Sequence, residues 1–216
     1  MAKSVTIFGS STAYYAHDPG CSYVDMLKND YDVKSLCMNG YTIWHANYIL
    51  PQFLTERGPD KWIILHVGAS ECATMKISNF LVLASYWLIY GSNDHYFQTF
   101  IGPKMYRASL DLADGIENYY SLLNRSEFLA LYDKLLQGLE SFSVLCVGMS
   151  KPNEATDIRM EQAITFETAI DECCRCRPWT RQIRVWDLCD GQIIDSNHLT
   201  NEGHKILYNE IRGVIN

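Results

Sequence analysis

The sequence has no apolar run long enough to span a bilayer, and no charged segment followed by an apolar one of the kind that marks a secretory leader, so the expectation is a cytoplasmic protein. Positive charge is also scarce. Eighteen Lys and Arg stand against 25 Asp and Glu, for a formal net charge of −7, and no basic stripe is left to neutralise phosphates. Nucleic acid and anionic membranes are therefore not expected partners. Metal-ligand spacing is missing as well: His17, His45 and His95 have none with one another or with carboxylates, and the single C-x-x-C, Cys173 to Cys176, has no second pair nearby. The eight cysteines are scattered through strand-like and helical segments rather than spaced as loop staples, which suits free thiols in a reducing compartment.

What is present is ordinary globular material. With 48% hydrophobic and 20% charged residues, 216 residues supply one sizeable core and are short for two, so a single domain over 1–216 is expected. Strand-like and helical runs alternate along most of the chain, the pattern of a parallel sheet covered on both faces. Five strands are predicted, at Val5–Phe8, Tyr31–Leu36, Lys61–Val67, Ser143–Val147 and Ile183–Trp186. Helices are predicted around Tyr23–Lys28, over Ile43–Leu54 with Pro51 kinking or shortening it, along the apolar face from Phe128 to Leu139, over about Asp157–Cys174, and from an N-cap at Thr200. From about 72 to 123 the alternation breaks down into an aromatic-rich insertion after the third strand. It is too apolar for a solvated loop and is expected to pack as helices, as a lid or as the surface of a homo-oligomer.

In such a sheet, ligands bind beyond the carboxyl ends of the strands. Asp195-Ser196-Asn197-His198 follows the fifth strand, and an Asp three residues ahead of a His supplies a base together with the carboxylate that orients it. The matching nucleophile stands at the other end of the chain, where Val5 to Phe8 runs into Gly9-Ser10-Ser11-Thr12. This combination points to a serine hydrolase or acyltransferase. Asp187 and Asp190 are alternative orienters of His198, His66 reads as a satisfied core histidine, and His204 as helix packing.

The order of these segments resembles the SGNH (GDSL-type) hydrolase family, whose three-layer α/β/α, flavodoxin-like fold the resemblance implies. Phe8-Gly9-Ser10-Ser11 resembles the first block, Gly-Asp-Ser, with Ser11 in the nucleophile position and Ser10 in place of the Asp. Asn39-Gly40-Tyr41-Thr42 resembles the second block, Gly68-Ala69-Ser70-Glu71 falls where the third block Gly-x-Asn-Asp is expected, and Asp195 to His198 matches the last, Asp-x-x-His. The resemblance implies acyl transfer through Ser11, with His198 as general base and acid and Asp195 as its orienter, and with no cofactor. Oxyanion donors would be the backbone N–H groups of Ser11 and Gly40, with Ser70 in the position of the family's Asn. Asn93, in a literal Gly91-Ser92-Asn93-Asp94, is a supplementary donor if the insertion folds back. The implied substrates are carboxylic esters, foremost acetyl groups on a carbohydrate. Two other readings compete: a weak or inactive member serving as a binding module, and a phosphate cradle at Gly9-Ser10-Ser11-Thr12 in a flavodoxin-like domain.

Overall fold

The computed structural model describes residues 3–37, 41–56, 62–69, 75–76, 119–120, 123–152, 157–194 and 197–216. The chain divides into two units, Met1–Cys72 with Leu123–Asn216, and Ala73–Leu122. The first unit holds five parallel strands in the order β2-β1-β3-β6-β7, namely β1 (Ser4–Gly9), β2 (Asp32–Cys37), β3 (Trp62–His66), β6 (Ser143–Val147) and β7 (Thr180–Ile183). In the second unit the described residues form an antiparallel ladder, β4 (Met75–Lys76) against β5 (Tyr119–Tyr120). The helices expected in the insertion, and Asn93, lie outside the described residues.

Alternate residues of the central strands point into two interiors, the two-residue period of a sheet buried on both faces. Phe8, Ile63, Leu65, Val144 and Cys146 meet one set of helices: α3 (Ile43–Glu56), α4 (Arg125–Gln137) and α5 (Asp157–Arg175). Val5, Ile7, Ile64, Leu145 and Val147 meet the other: α1 (Ser11–Tyr14), α2 (Tyr23–Asp30), the short α6 (Val185–Leu188) and α7 (Asn201–Ile215). The result is the expected three-layer α/β/α architecture. Helix starts are set by side chains that take up free N–H groups. Ser22 accepts from the Asp25 N–H, Asn124 and Glu127 close a reciprocal capping box, and Thr200 accepts from the Gly203 N–H.

Two expectations are corrected. Pro51 does not shorten its helix, which continues to Glu56. The buried side chains of Ala46, Leu50 and Phe53 hold it to the core, and Asn47 Nδ2 donates to the carbonyls of Ile43 and Leu131, so packing outweighs the backbone bond that a proline removes. The fifth strand is Thr180–Ile183 rather than Ile183–Trp186, and Val185–Leu188 turns into a helix. β7 lies at the sheet edge and pairs through its backbone with β6, so it tolerates the polar Thr180, Arg181 and Gln182 that conceal it from an apolar pattern. No helix among the described residues is long and apolar enough to cross a membrane.

Candidate active site

The end of β1 builds the first half of the site. Gly9 closes the strand where a Cβ would come within 2.6 Å of the Ala13 Cβ and 3.0 Å of Cys37 Sγ, so only glycine lets the next helix turn back this tightly. Ser10 is the extended N-cap of α1, and Ser11 is its first residue. The Ser10 and Thr12 hydroxyls are buried and bond to each other at 2.8 Å, leaving the half-buried Ser11 hydroxyl as the one that faces the site.

The second half is a tight hairpin ahead of α7. Ile194 N–H donates to the His198 carbonyl (2.9 Å), Ile193 bridges Leu199, and Thr200 N–H donates to the Gln192 carbonyl (2.9 Å). The Thr200 hydroxyl also donates to Gln192 Oε1 at 2.8 Å. A further tie comes from the end of β6, where the buried Ser150 hydroxyl donates to the Asn197 carbonyl at 2.6 Å.

These two pieces bring His198 Nε2 to 2.9 Å from Ser11 Oγ, across 187 residues of sequence. With the imidazole proton on Nδ1, Nε2 accepts the serine hydroxyl, which is the arrangement that lets a histidine remove the proton of an attacking oxygen. The Tyr15 ring lies against the same imidazole, with centroids 4.8 Å apart and planes at 51°.

No family model matches the chain, and no curated protein matches it in sequence. Solved structures do match it in shape over nearly its whole length. A member of the lipolytic protein G-D-S-L family from Veillonella parvula superposes with a TM-score of 0.65 at 10% identity, covering 99% of this chain and 98% of that one. An acetylxylan esterase from Geobacillus stearothermophilus gives 0.58 at 11% identity, with 97% and 92% covered. The psychrotrophic esterase EstA from Pseudoalteromonas sp., solved with inhibiting monoethylphosphonate, gives 0.53 at 12% identity, with 99% and 98% covered. The fold is that of the SGNH hydrolases.

On that fold the first and last of the four blocks meet, through Ser11 and His198. Gly68, which opens the third block, adopts φ +122°, a conformation suited to glycine. Gly40, Ser70 and Asp195 lie outside the described residues. The alternative orienters are engaged elsewhere: Asp187 faces Arg184 at 3.9 Å and Asp190 faces Lys151 at 3.5 Å. The hydroxyls of Ser10 and Thr12 are buried and bonded to each other, so neither is turned outward as a phosphate cradle would need.

Where the SGNH pattern has an Asp, this chain has Ser10, and beneath it runs an uncharged buried chain. Thr12 Oγ1 lies 3.5 Å from His66 Nε2, and His66 Nδ1 lies 3.2 Å from the Tyr23 hydroxyl. The Ser10 N–H donates to the His66 carbonyl (3.2 Å). Burial pushes the His66 pKa down to about 3, assisted by the neighbouring His204, so the ring is neutral. His204 is buried as well. Its Nδ1 accepts from the Tyr23 N–H (3.3 Å) and its Nε2 donates to the Tyr15 carbonyl (2.8 Å), and burial holds its pKa below the ordinary histidine value.

Ser150 and Tyr15 were not singled out in the sequence. Ser150 carries a readable signal, because it follows the fourth strand at the same sheet edge as the other blocks. Tyr15 carries none, since its meeting with His198 depends on two chain ends coming together.

Proposed function

We propose that this protein is a serine-dependent carboxylic-ester hydrolase or acyltransferase, with acetyl esters of a carbohydrate as its substrate class. The observation that carries this reading is the 2.9 Å contact between Ser11 Oγ and His198 Nε2 at the carboxyl edge of a parallel sheet. A structural serine at a helix start needs no imidazole at that distance. The acetylxylan esterase of similar fold lends support, since its catalytic mutants replace a serine and a histidine by alanine.

In the proposed reaction, Ser11 Oγ attacks the ester carbonyl carbon while His198 Nε2 takes the hydroxyl proton. The negative charge gathers on the former carbonyl oxygen. The Ser11 N–H, in the first turn of α1 where helix donors lack intrahelical partners, is positioned in sequence to receive it, together with the Gly40 N–H and the Ser70 hydroxyl, with Asn93 as a supplementary donor. Collapse of the intermediate breaks the bond to the alcohol oxygen, which leaves with the proton held by His198, and the acyl group stays on Ser11. Water or an acceptor hydroxyl, deprotonated by His198, then removes it. Asp195 holds the imidazole in the required tautomer throughout.

A serine-reactive phosphonate tests the proposal. Stoichiometric labelling at Ser11, abolished in Ser11→Ala and strongly slowed in His198→Ala, is the expected result. Hydrolysis of an activated acetyl ester by Ser11→Ala should fall by about 10⁴-fold or more in kcat. Absence of labelling in a folded protein would replace this reading with that of a binding module.

A further inference from the structure

Tyr15 is half exposed, at 50%, yet it is tied down at three points. Its N–H donates to the Ser11 carbonyl at 2.8 Å, its carbonyl accepts from His204 Nε2 at 2.8 Å, and its ring packs on His198. The first of these is the bond that closes α1 at its C-cap, which any residue there would make; the other two lie outside the helix's own bonding. With backbone and ring both held, it presents a pre-set aromatic face at little entropic cost, since only two side-chain torsions have to be fixed.

The reaction chemistry says which part of a substrate meets that face. The proton that His198 takes from Ser11 must go to the departing alcohol oxygen, so this oxygen has to come within roughly 3 Å of Nε2 whatever the ester. The Tyr15 ring centroid is 4.8 Å from the centroid of that imidazole, so a ring-sized alcohol bonded through that oxygen is within reach of the Tyr15 ring. The acyl carbonyl is fixed instead by its oxyanion donors, beginning with the N–H of Ser11, at the start of α1 rather than beyond its end.

We propose that Tyr15 is a specificity-determining residue for the alcohol half of the ester, its exposed ring serving as a platform on which a ring-shaped alcohol, such as the pyranose of an acetylated sugar, stacks. The inference rests on the reading of Ser11 and His198 as nucleophile and base. His204 is the positioning residue behind it, because its neutral ring joins the Tyr15 carbonyl to the Tyr23 N–H and so ties the end of α1 to α2 and α7.

The test uses the full chain and two ester series. In one the acyl group is always acetyl and the alcohol varies: ethyl acetate, phenyl acetate and a monoacetylated methyl xyloside. In the other the alcohol is always p-nitrophenol and the acyl chain runs from acetyl to octanoyl. Tyr15→Ala is expected to lower kcat/KM for the xyloside and phenyl esters about tenfold more than for ethyl acetate, the size of one lost stacking contact with its buried area. Its loss should be the same at every acyl length, and Tyr15→Phe should keep the wild-type preference. Tyr15→Leu, which retains bulk without a flat face, gives the same comparison if the alanine variant fails to fold, with phosphonate labelling at Ser11 as the check of integrity. An equal loss across the alcohols would overturn the proposal, and so would a loss graded along the acyl series. If the wild-type protein neither labels nor hydrolyses any of these esters, the nucleophile assignment itself falls; if it does both and the Tyr15 variants keep its preferences, only the platform falls.

Discussion

The two interiors on either side of the sheet are equally well buried and differently made. On the side of α3, α4 and α5, the strand residues Phe8, Ile63 and Leu65 meet Phe53, Phe128, Tyr132 and Phe166 in edge-on and tilted aromatic packing, with Phe8 and Phe53 centroids 5.6 Å apart and Phe128 and Phe166 4.6 Å apart. On the side of α1, α2 and α7, the same strands present Ile7 and Ile64, and then at their carboxyl ends the pattern turns polar with Ser10, Thr12, His66, Tyr23 and His204. Apolar packing has no donors and acceptors to align. Hydrogen bonds have, and the polar interior lies directly beneath the helix that carries Ser11. The difference teaches that one face of this sheet supplies stability while the other spends some of its burial on holding the Ser11 and His198 segments in register.

If that division is right, damage to the two faces should show up in different measurements. The largest effect on folding belongs to the aromatic face. Phe53→Ala should cost about 3–5 kcal/mol, read by urea unfolding, with phosphonate labelling at Ser11 retained in the fraction that stays folded. Loss of labelling without loss of stability would place Phe53 in the site and blur the comparison.

Acid should act on the polar face. His66 and His204 are buried with pKa values below the ordinary 6.5, His66 at about 3. Below about pH 6.5 the unfolded chain binds protons on these rings more readily than the folded chain, so unfolding gains protons and stability falls as the pH drops from 6.5, for His66 down toward 3. For His66 alone the slope is about 1.4 kcal/mol per pH unit. On the aromatic side, burial raises the pKa of Glu167, and the sign there is opposite: its contribution is greatest at low pH and is lost as the pH rises through the raised value. Comparing wild type with His66→Gln at pH 4.5, 5.5 and 6.5 isolates the histidine. The variant should lose close to one proton's worth of slope, and an unchanged slope would mean that His66 is already charged.

The smallest effect is reserved for groups outside both interiors. Arg125 and Glu172 pair at 2.5 Å with both side chains partly in solvent. Glu172→Gln should move the unfolding free energy by no more than about 0.5 kcal/mol, with that small change disappearing in high salt.

Much of this architecture was legible from residue order. The short apolar runs at Val5–Phe8 and Ser143–Val147 and the cap at Thr200 are local signals, set by a few neighbouring residues, and they place β1, β6 and α7 correctly. β7 was misplaced because an edge strand held by backbone bonds does not need apolar side chains. Pro51 misled for the converse reason, since a local penalty was outweighed by contacts with residues far away in sequence. Ser11 and His198 were singled out together, because the Asp-x-x-His spacing marked the histidine and that pair in turn made the serine after β1 the candidate nucleophile.

By itself, then, the amino-acid order determined the alternating elements, the burial of the sheet on both faces, and two candidate side chains at opposite ends of the chain, all features governed by near neighbours. Only the tertiary structure decided that those two side chains stand 2.9 Å apart, that Ser150 secures the histidine loop, and that Tyr15 lies on the imidazole, held there by His204. Each of these is a contact between elements that only the folded sheet brings side by side, and its energy depends on distances and angles that no linear pattern encodes.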